Sequence, residues 1–371
     1  MNGVAVDAGV AARTQVRTSV LDVRLLYTVY PHFGSHAGMV QLARVFDPSR
    51  VRPHPVPVSD SDDDFPVRHP GIRDRVRARI GGRGVAWYKL SDIYAEWRAL
   101  GAALTGGADI VHYLDGEHSA SFLPSLLRRV RVVPTRTVAT FHQPVSLLDE
   151  LLDLSILADL DAVTVVAPEQ QAWFESRVPS VRVETILHGI DTTFFIPGIR
   201  DPERAVFRCV TAGHWLRDWT AIRAVAERLQ SERDIEFHII TSRPTGLDGL
   251  SNVVTHSGIS DAELRDVYRG ADVLFLPLTD STANNCLLEG IACGLPVVST
   301  ALANVRAYLP GDQGIFIDGN DPDLLTDALL SLKRDPGARL AMGRRARARA
   351  EELAWPTMAR RFEALYREVC A

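Results

Sequence analysis

The stretch A-D-V-L-F-L-P-L-T-D-S-T-A-N-N-C-L-L-E-G-I-A-C-G-L-P-V-V-S-T, residues 271–300, decides the fold. An apolar run from Asp272 to Leu276 is followed by polar residues to Asn285, a helical pattern over Leu287 to Cys293, and a second apolar run from Pro296 to Thr300. Val- and Leu-rich runs without alternation suit strands covered on both faces, the mark of a parallel sheet. Strand, loop, helix and strand in that order make a βαβ unit. The same grammar extends outward. Phe207 to Ala212, Ile235 to Thr241, Val253 to His256 and Gly314 to Ile317 read as strands, with helical periods at Ala221 to Gln230 and Asp261 to Arg269. Upstream, Val23 to Val29, Asp109 to Leu114, Arg136 to Phe141, Asp161 to Ala167 and Val183 to Leu187 form a first set. Thr192 to Ala205, with Pro197, Gly198 and Pro202, reads as the connection between them. The expected class is α/β: two Rossmann-like, doubly wound parallel sheets facing across a cleft. The expected divisions are a flexible lead-in over 1–20, a first Rossmann-like domain over 21–198, a second over 199–355, and an amphipathic helix over 356–371 packing back across the first domain.

Composition agrees. A chain of 371 residues exceeds what one core usually fills. With 46% hydrophobic and 23% charged residues it has the balance of a folded globular protein. Net charge −5 supplies no global field for nucleic acid or an anionic membrane. The four cysteines, Cys209, Cys286, Cys293 and Cys370, contain no C-x-x-C pair and read as reduced. No run approaches the ~18 apolar residues of a membrane span, and the N-terminus lacks a signal-peptide pattern. A cytoplasmic protein is expected, with peripheral contact at the inner membrane face left open.

Open parallel sheets bind ligands at the carboxyl ends of their strands, so the site belongs in the cleft. The segment Asp280, Ser281, Thr282, Ala283, Asn284 and Asn285 precedes a helix whose first amides lack intrahelical partners, and a phosphate or hydroxyl-rich ligand can be held there. Ser281, Thr282 and Asn284 are also ordinary cap residues. Glu289 tips the balance: it stands one turn into a helix that otherwise faces the core, where a carboxylate needs a partner, and a ribose diol is one. After the strand Phe207 to Ala212 comes Gly213-His214-Trp215-Leu216-Arg217, where the glycine permits close backbone approach and Arg217 can neutralise a diphosphate. Arg217 paired with Asp218 on the surface is the plain alternative. His142 ends a strand of the first domain; Asp115 and Glu117 end the preceding one and can bind ligand hydroxyls or an amine. The loop Gly34-Ser35-His36-Ala37-Gly38 has G-x-x-x-G spacing, which does not support NAD binding. Asp60 to Asp64 follows Pro53, Pro55 and Pro57 and reads as a solvated loop rather than a metal motif. Arg68 to Arg83, with six arginines, reads as a solvated flexible region, an interfacial helix being the alternative.

The runs L-L-E-G-I-A-C-G-L-P-V-V-S-T (287–300), V-A-P-E-Q-Q-A-W-F (166–174), I-L-H-G-I-D-T-T-F-F-I-P (186–197), A-D-V-L-F-L-P (271–277) and W-P-T-M-A-R-R-F-E-A-L-Y (355–366) occur in that combination along most of the chain. Together they resemble the retaining GT-B glycosyltransferases of glycosyltransferase family 4. The resemblance implies a transferase that moves a hexosyl-type group from a nucleotide-diphosphate sugar to an acceptor hydroxyl with retention, needing no cofactor and no metal. In that family two glutamates stand eight positions apart. The second, implied to hold the ribose, maps to Glu289; the first maps to Ser281, so its role passes to Asp280 or Ser281, or changes with the donor sugar. Gly213 and Arg217 fall in the family's phosphate loop, with His214 in place of an arginine and no lysine near. His142 maps to the histidine implied to touch the transferred sugar, and Gly34 and Gly38 to the first glycine-rich loop. His36, Asp115, Glu117 and His142 are the candidate acceptor contacts. The implied partners are a nucleotide-diphosphate sugar and a small-molecule, glycan or lipid-linked acceptor, with no nucleic acid. A nucleotide-sugar epimerase of the same fold and a catalytically decayed sugar-nucleotide binder are the alternatives.

Overall fold

The structure is a computed structural model that describes residues 20–30, 34–80, 86–129, 133–199 and 205–371. The expected lead-in lies almost wholly outside these, as do residues 31–33 beside the glycine loop and 200–204 of the connection. The first sheet holds β1 (Leu21–Val29), β2 (Val51–Ser59), β3 (Ile110–Tyr113), β4 (Arg136–Phe141), β5 (Ala162–Val165) and β6 (Arg182–Thr185), in the order β2-β1-β3-β4-β5-β6. The second holds β7 (Phe207–Ala212), β8 (Ile235–Ile240), β9 (Val253–His256), β10 (Val273–Leu276), β11 (Val297–Thr300) and β12 (Gly314–Ile317), in the order β12-β11-β10-β7-β8-β9. Every ladder is parallel. Strand order reverses between β1 and β3 in one sheet and between β7 and β10 in the other, and these reversals are where doubly wound sheets open a ligand crevice. The central strands β3, β5, β10 and β11 are buried along their whole length, as their unalternating sequences require.

Two expectations need correction. Asp60 does not follow an unstructured proline segment: Pro53, Pro55 and Pro57 lie inside β2, paired with Val23, Leu25 and Tyr27. Because β2 is an edge strand, prolines at every second position place all three missing N–H groups along its outer side. The acidic run that follows is tied down, with Asp62 Oδ1 accepting from Leu90 N and Asp64 Oδ2 from Ser59 N. The arginine-rich segment is likewise ordered over Pro70–Ile80, as an exposed helix. Val76 and Ile80 lean on Phe65, Leu90 and Ile93, while Arg77 pairs with Asp62. Three apolar contacts and that ion pair explain why a largely cationic stretch keeps a fixed position.

The lobes are joined twice, and the crossings are stitched together. Ile190 N donates to Leu353 O and Trp355 N donates back to Ile190 O. A side chain on Gly189 would meet the Trp355 ring at 2.5 Å, so only glycine fits under the indole. The helix Trp355–Cys370 then packs on the first lobe, where the Tyr366 hydroxyl bonds the buried His112 at 2.6 Å. One apolar cluster runs from Leu21 and Leu25 through Ile190, Phe195 and Trp355 to Leu274 and Leu287, so the lobes share a core at the hinge. Among the described residues no helix is long and apolar enough to cross a membrane.

Candidate active site

The helix Asn285–Ala292 forms because Asn284 caps it, its side chain accepting from Leu287 N, and because every residue from Cys286 to Ala292 is buried. A Cβ on Gly290 would lie 2.9 Å from Leu274, so the helix rides close against β10 and its N-terminus is held at the β7/β10 reversal. Glu289 lies inside this helix at 5% exposure. Burial raises its pKa to about 8, against the pull of a 2.9 Å hydrogen bond from the Tyr268 hydroxyl and the Arg217 charge; Asp261 adds to the rise. At neutral pH this carboxyl is therefore mostly protonated.

Beside the helix N-terminus runs the loop after β7. Gly213 has φ 77°, a conformation glycine adopts freely, and the loop returns through Leu216 at φ 59°. Arg217 Nη2 lies 3.0 Å from where a Gly213 Cβ would stand. Its guanidinium donates to Ala212 O, Trp215 O and Asn284 Oδ1. It is not paired with Asp218, which caps the next helix through Ala221 N and accepts from Asn320. The loop carbonyls thus aim a fixed cation at the helix N-terminus. His214 stacks on Trp219, and burial together with Arg243 and Arg217 lowers its pKa, so it stays neutral near pH 7.

The first lobe closes over this arrangement. Thr282 Oγ1 donates to His142 O, Ser146 Oγ donates to Asp280 Oδ2 at 2.9 Å, and Asn304 Nδ2 donates to Glu169 at 2.8 Å. Glu117 Oε1 accepts from the His142 and Gln143 amides, and His142 Nε2 lies 2.7 Å from Leu114 O. Asp261, the first residue of the helix Asp261–Gly270, accepts from Ser35 N at 2.7 Å and from Ser35 Oγ at 3.0 Å. Its carboxylate fills the space above Gly34, where a Cβ would stand 1.7 Å from Oδ1.

Gly213, His214, Arg217, Thr282, Asn284 and Glu289 accordingly converge from the second lobe, and Gly34, Asp115, Glu117 and His142 approach from the first. Asp280 faces the opposite lobe, whereas the Ser281 hydroxyl is buried and donates to Thr282 O. Ala283 and Asn285 flank the cap. Gly38 begins the turn after the glycine loop with φ 76°. His36 turns away: its ring pairs with Asp191 at 2.8 Å and stacks on Phe194 at 3.6 Å, which ties the loop to the hinge side. Three participants are absent from the sequence reading: Tyr268, Asp261 and Ser146. Tyr268 sits 21 positions from Glu289 and no spacing rule links them.

The paired doubly wound sheets, the reversal-point crevice and the returning terminal helix define the GT-B architecture. Solved structures agree across nearly the whole chain: sucrose-phosphate synthase from Thermosynechococcus elongatus (TM-score 0.69, 16% identity, 94% of this chain and 98% of that one) and Anabaena HepE solved in complex with UDP (TM-score 0.65, 10% identity, 93% and 99%). Residues 216–335 match the family described as Glycosyl transferases group 1, and the chain as a whole has the GT-B fold. The D-inositol 3-phosphate glycosyltransferase of Paenarthrobacter aurescens is 30% identical over 211 residues, 50% of this chain and 52% of that relative. A second, from Catenulispora acidiphila, is 28% identical over 215 residues, 50% and 51%. The chain spans about half the length of the curated relatives it matches.

Proposed function

We propose that the protein transfers a glycosyl group from a nucleotide-diphosphate sugar to an acceptor hydroxyl, with retention and without a metal. The carrying observation is the convergence of Arg217, the amides capped by Asn284, and the buried Glu289 on one crevice whose far wall presents His142. Each has a part in the chemistry. Departure of the nucleoside diphosphate builds charge on its terminal phosphate; Arg217 and the free helix amides are fixed donors for that charge, and such donors are worth roughly 3 to 4 kcal/mol each in a dry site. Glu289 takes the ribose hydroxyls, Asp280 takes the role the family gives its first glutamate, and His142 meets the sugar from the opposite lobe. Retention follows if the acceptor attacks on the face the diphosphate leaves, a phosphate oxygen receiving the hydroxyl proton, so that no protein nucleophile is required. HepE was solved with UDP, which makes UDP-sugars the first donors to try.

A decayed binder is the second reading, favoured by one observation: Arg217 already spends donors on three protein oxygens. Thermal melts over UDP-, GDP- and TDP-sugars identify the donor. NMR of the product then reads its anomeric configuration, and the same reaction in EDTA tests for a metal. Donor binding without hydrolysis or transfer to any acceptor would leave the decayed reading standing. Conversion of the nucleotide sugar without an acceptor would make the protein an epimerase.

A further inference from the structure

A pocket of about 120 Å³ opens at the carboxyl ends of β1 and β3, the reversal point of the first sheet. Thr28, Tyr30, Gly34, Gly38, Leu114 and Asp115 contribute to its wall. Thr28 is 5% exposed, yet its hydroxyl makes no hydrogen bond to any described residue; the Tyr30 phenol lies beside it outside hydrogen-bond geometry. Asp115 Oδ2 accepts from Thr28 N at 2.8 Å, which leaves the rest of that half-buried carboxylate open to a ligand. None of the described wall residues is Arg, Lys or His.

The charged groups around Asp115 are committed elsewhere. Lys89 acts on it from a distance, but the ammonium lies 3.6 Å from both Asp60 and Asp92 and bonds His118 Nδ1 at 3.2 Å. The Glu117 carboxylate is occupied by the His142 and Gln143 amides, and the His142 ring by Leu114 O. The Asp115 carboxylate accepts hydrogen bonds and repels an anion, and the unpaired Thr28 hydroxyl beside it can accept from or donate to a ligand hydroxyl. We propose, resting on the transferase reading above, that this pocket receives the acceptor through Asp115 and Thr28 and selects a polyol presenting hydroxyl or ammonium donors over one carrying a phosphate monoester.

Calorimetry on the UDP-loaded protein, with three probes built on one ring, tests this: myo-inositol, scyllo-inosamine and myo-inositol 3-phosphate. The first two are expected to bind at least about tenfold more tightly than the phosphate, a difference of about 1.4 kcal/mol. Thr28→Val and Asp115→Asn should weaken both and leave UDP affinity intact, which also reports that each variant is folded. A larger loss for scyllo-inosamine than for myo-inositol under Asp115→Asn assigns the ammonium as the preferred donor; equal losses assign hydroxyls. Tightest binding of the phosphate, no binding of any probe, or affinities unmoved in both variants would overturn the proposal while leaving the donor reading in place. Failure of UDP itself to bind would remove that reading and this proposal with it.

Discussion

Glu289 should make donor affinity rise with pH in a window well above that of an ordinary carboxylate site. Its pKa of about 8 means that roughly 1% is ionised at pH 6 and half at pH 8. If ribose hydroxyls are accepted by the anion, only that fraction is competent, and apparent affinity scales with it. A nucleotide sugar, whose diphosphate diester does not titrate in this range, should then bind roughly 50-fold more weakly at pH 6 than at pH 8. Isothermal titration of wild type and Glu289→Gln across that interval is the assay, with the donor chosen as the one giving the largest thermal shift. The Gln variant should bind weakly at every pH and show no slope. Tyr268→Phe removes the hydrogen bond that pulls the pKa down, so its profile should move to still higher pH. A wild-type affinity that is flat from pH 6 to 8, or a Gln variant with the same slope, would refute the reasoning.

The same group acts on stability. Because its folded pKa lies above the ordinary 4.5, the unfolded chain loses the proton first, and the unliganded protein loses stability as pH rises from about 4.5 to about 8. The melting-temperature advantage of Glu289→Gln over wild type should grow across that window. Gly34→Ala puts a methyl where the Asp261 carboxylate stands, so that flexible side chain must swing aside and give up its bonds to Ser35; scattering should report a looser pair of lobes, with a radius of gyration matched by Asp261→Ala alone. Tyr366→Phe leaves one ring nitrogen of buried His112 without its partner and should cost about 1–3 kcal/mol by urea denaturation, with little change in donor affinity. Gly189→Ala collides with the rigid Trp355 indole rather than a flexible side chain, and should lower the melting temperature more than Gly34→Ala does.

The sheets were legible because buried parallel strands write themselves as short runs without polar alternation, as in the Val-Leu-Phe-Leu of β10. The exception, β2, was obscured because proline forbids a central strand but not an outer edge, and the sequence does not state which strand lies outside. Pro70–Ile80 was misjudged for a related reason: its anchors Val76 and Ile80 need Phe65 and Ile93, which only the fold brings near. At the site, Glu289, Arg217 and Asn284 could be read because helix caps and post-strand glycines are local signals. Tyr268 and Asp261 could not, since their importance lies in what another segment presents to them. His36 illustrates the converse: a histidine in a suggestive loop whose ring Asp191 and Phe194 already occupy.

The bond between His112 and Tyr366 joins residues 254 positions apart. During translation at about 5–20 residues per second, the early lobe emerges with Thr140 to meet one nitrogen of the His112 ring, while the other waits roughly 13 to 50 seconds for Tyr366. Nascent chains halted before residue 366 should therefore expose a protease-sensitive, chaperone-binding first half, which tightens once the late helix arrives.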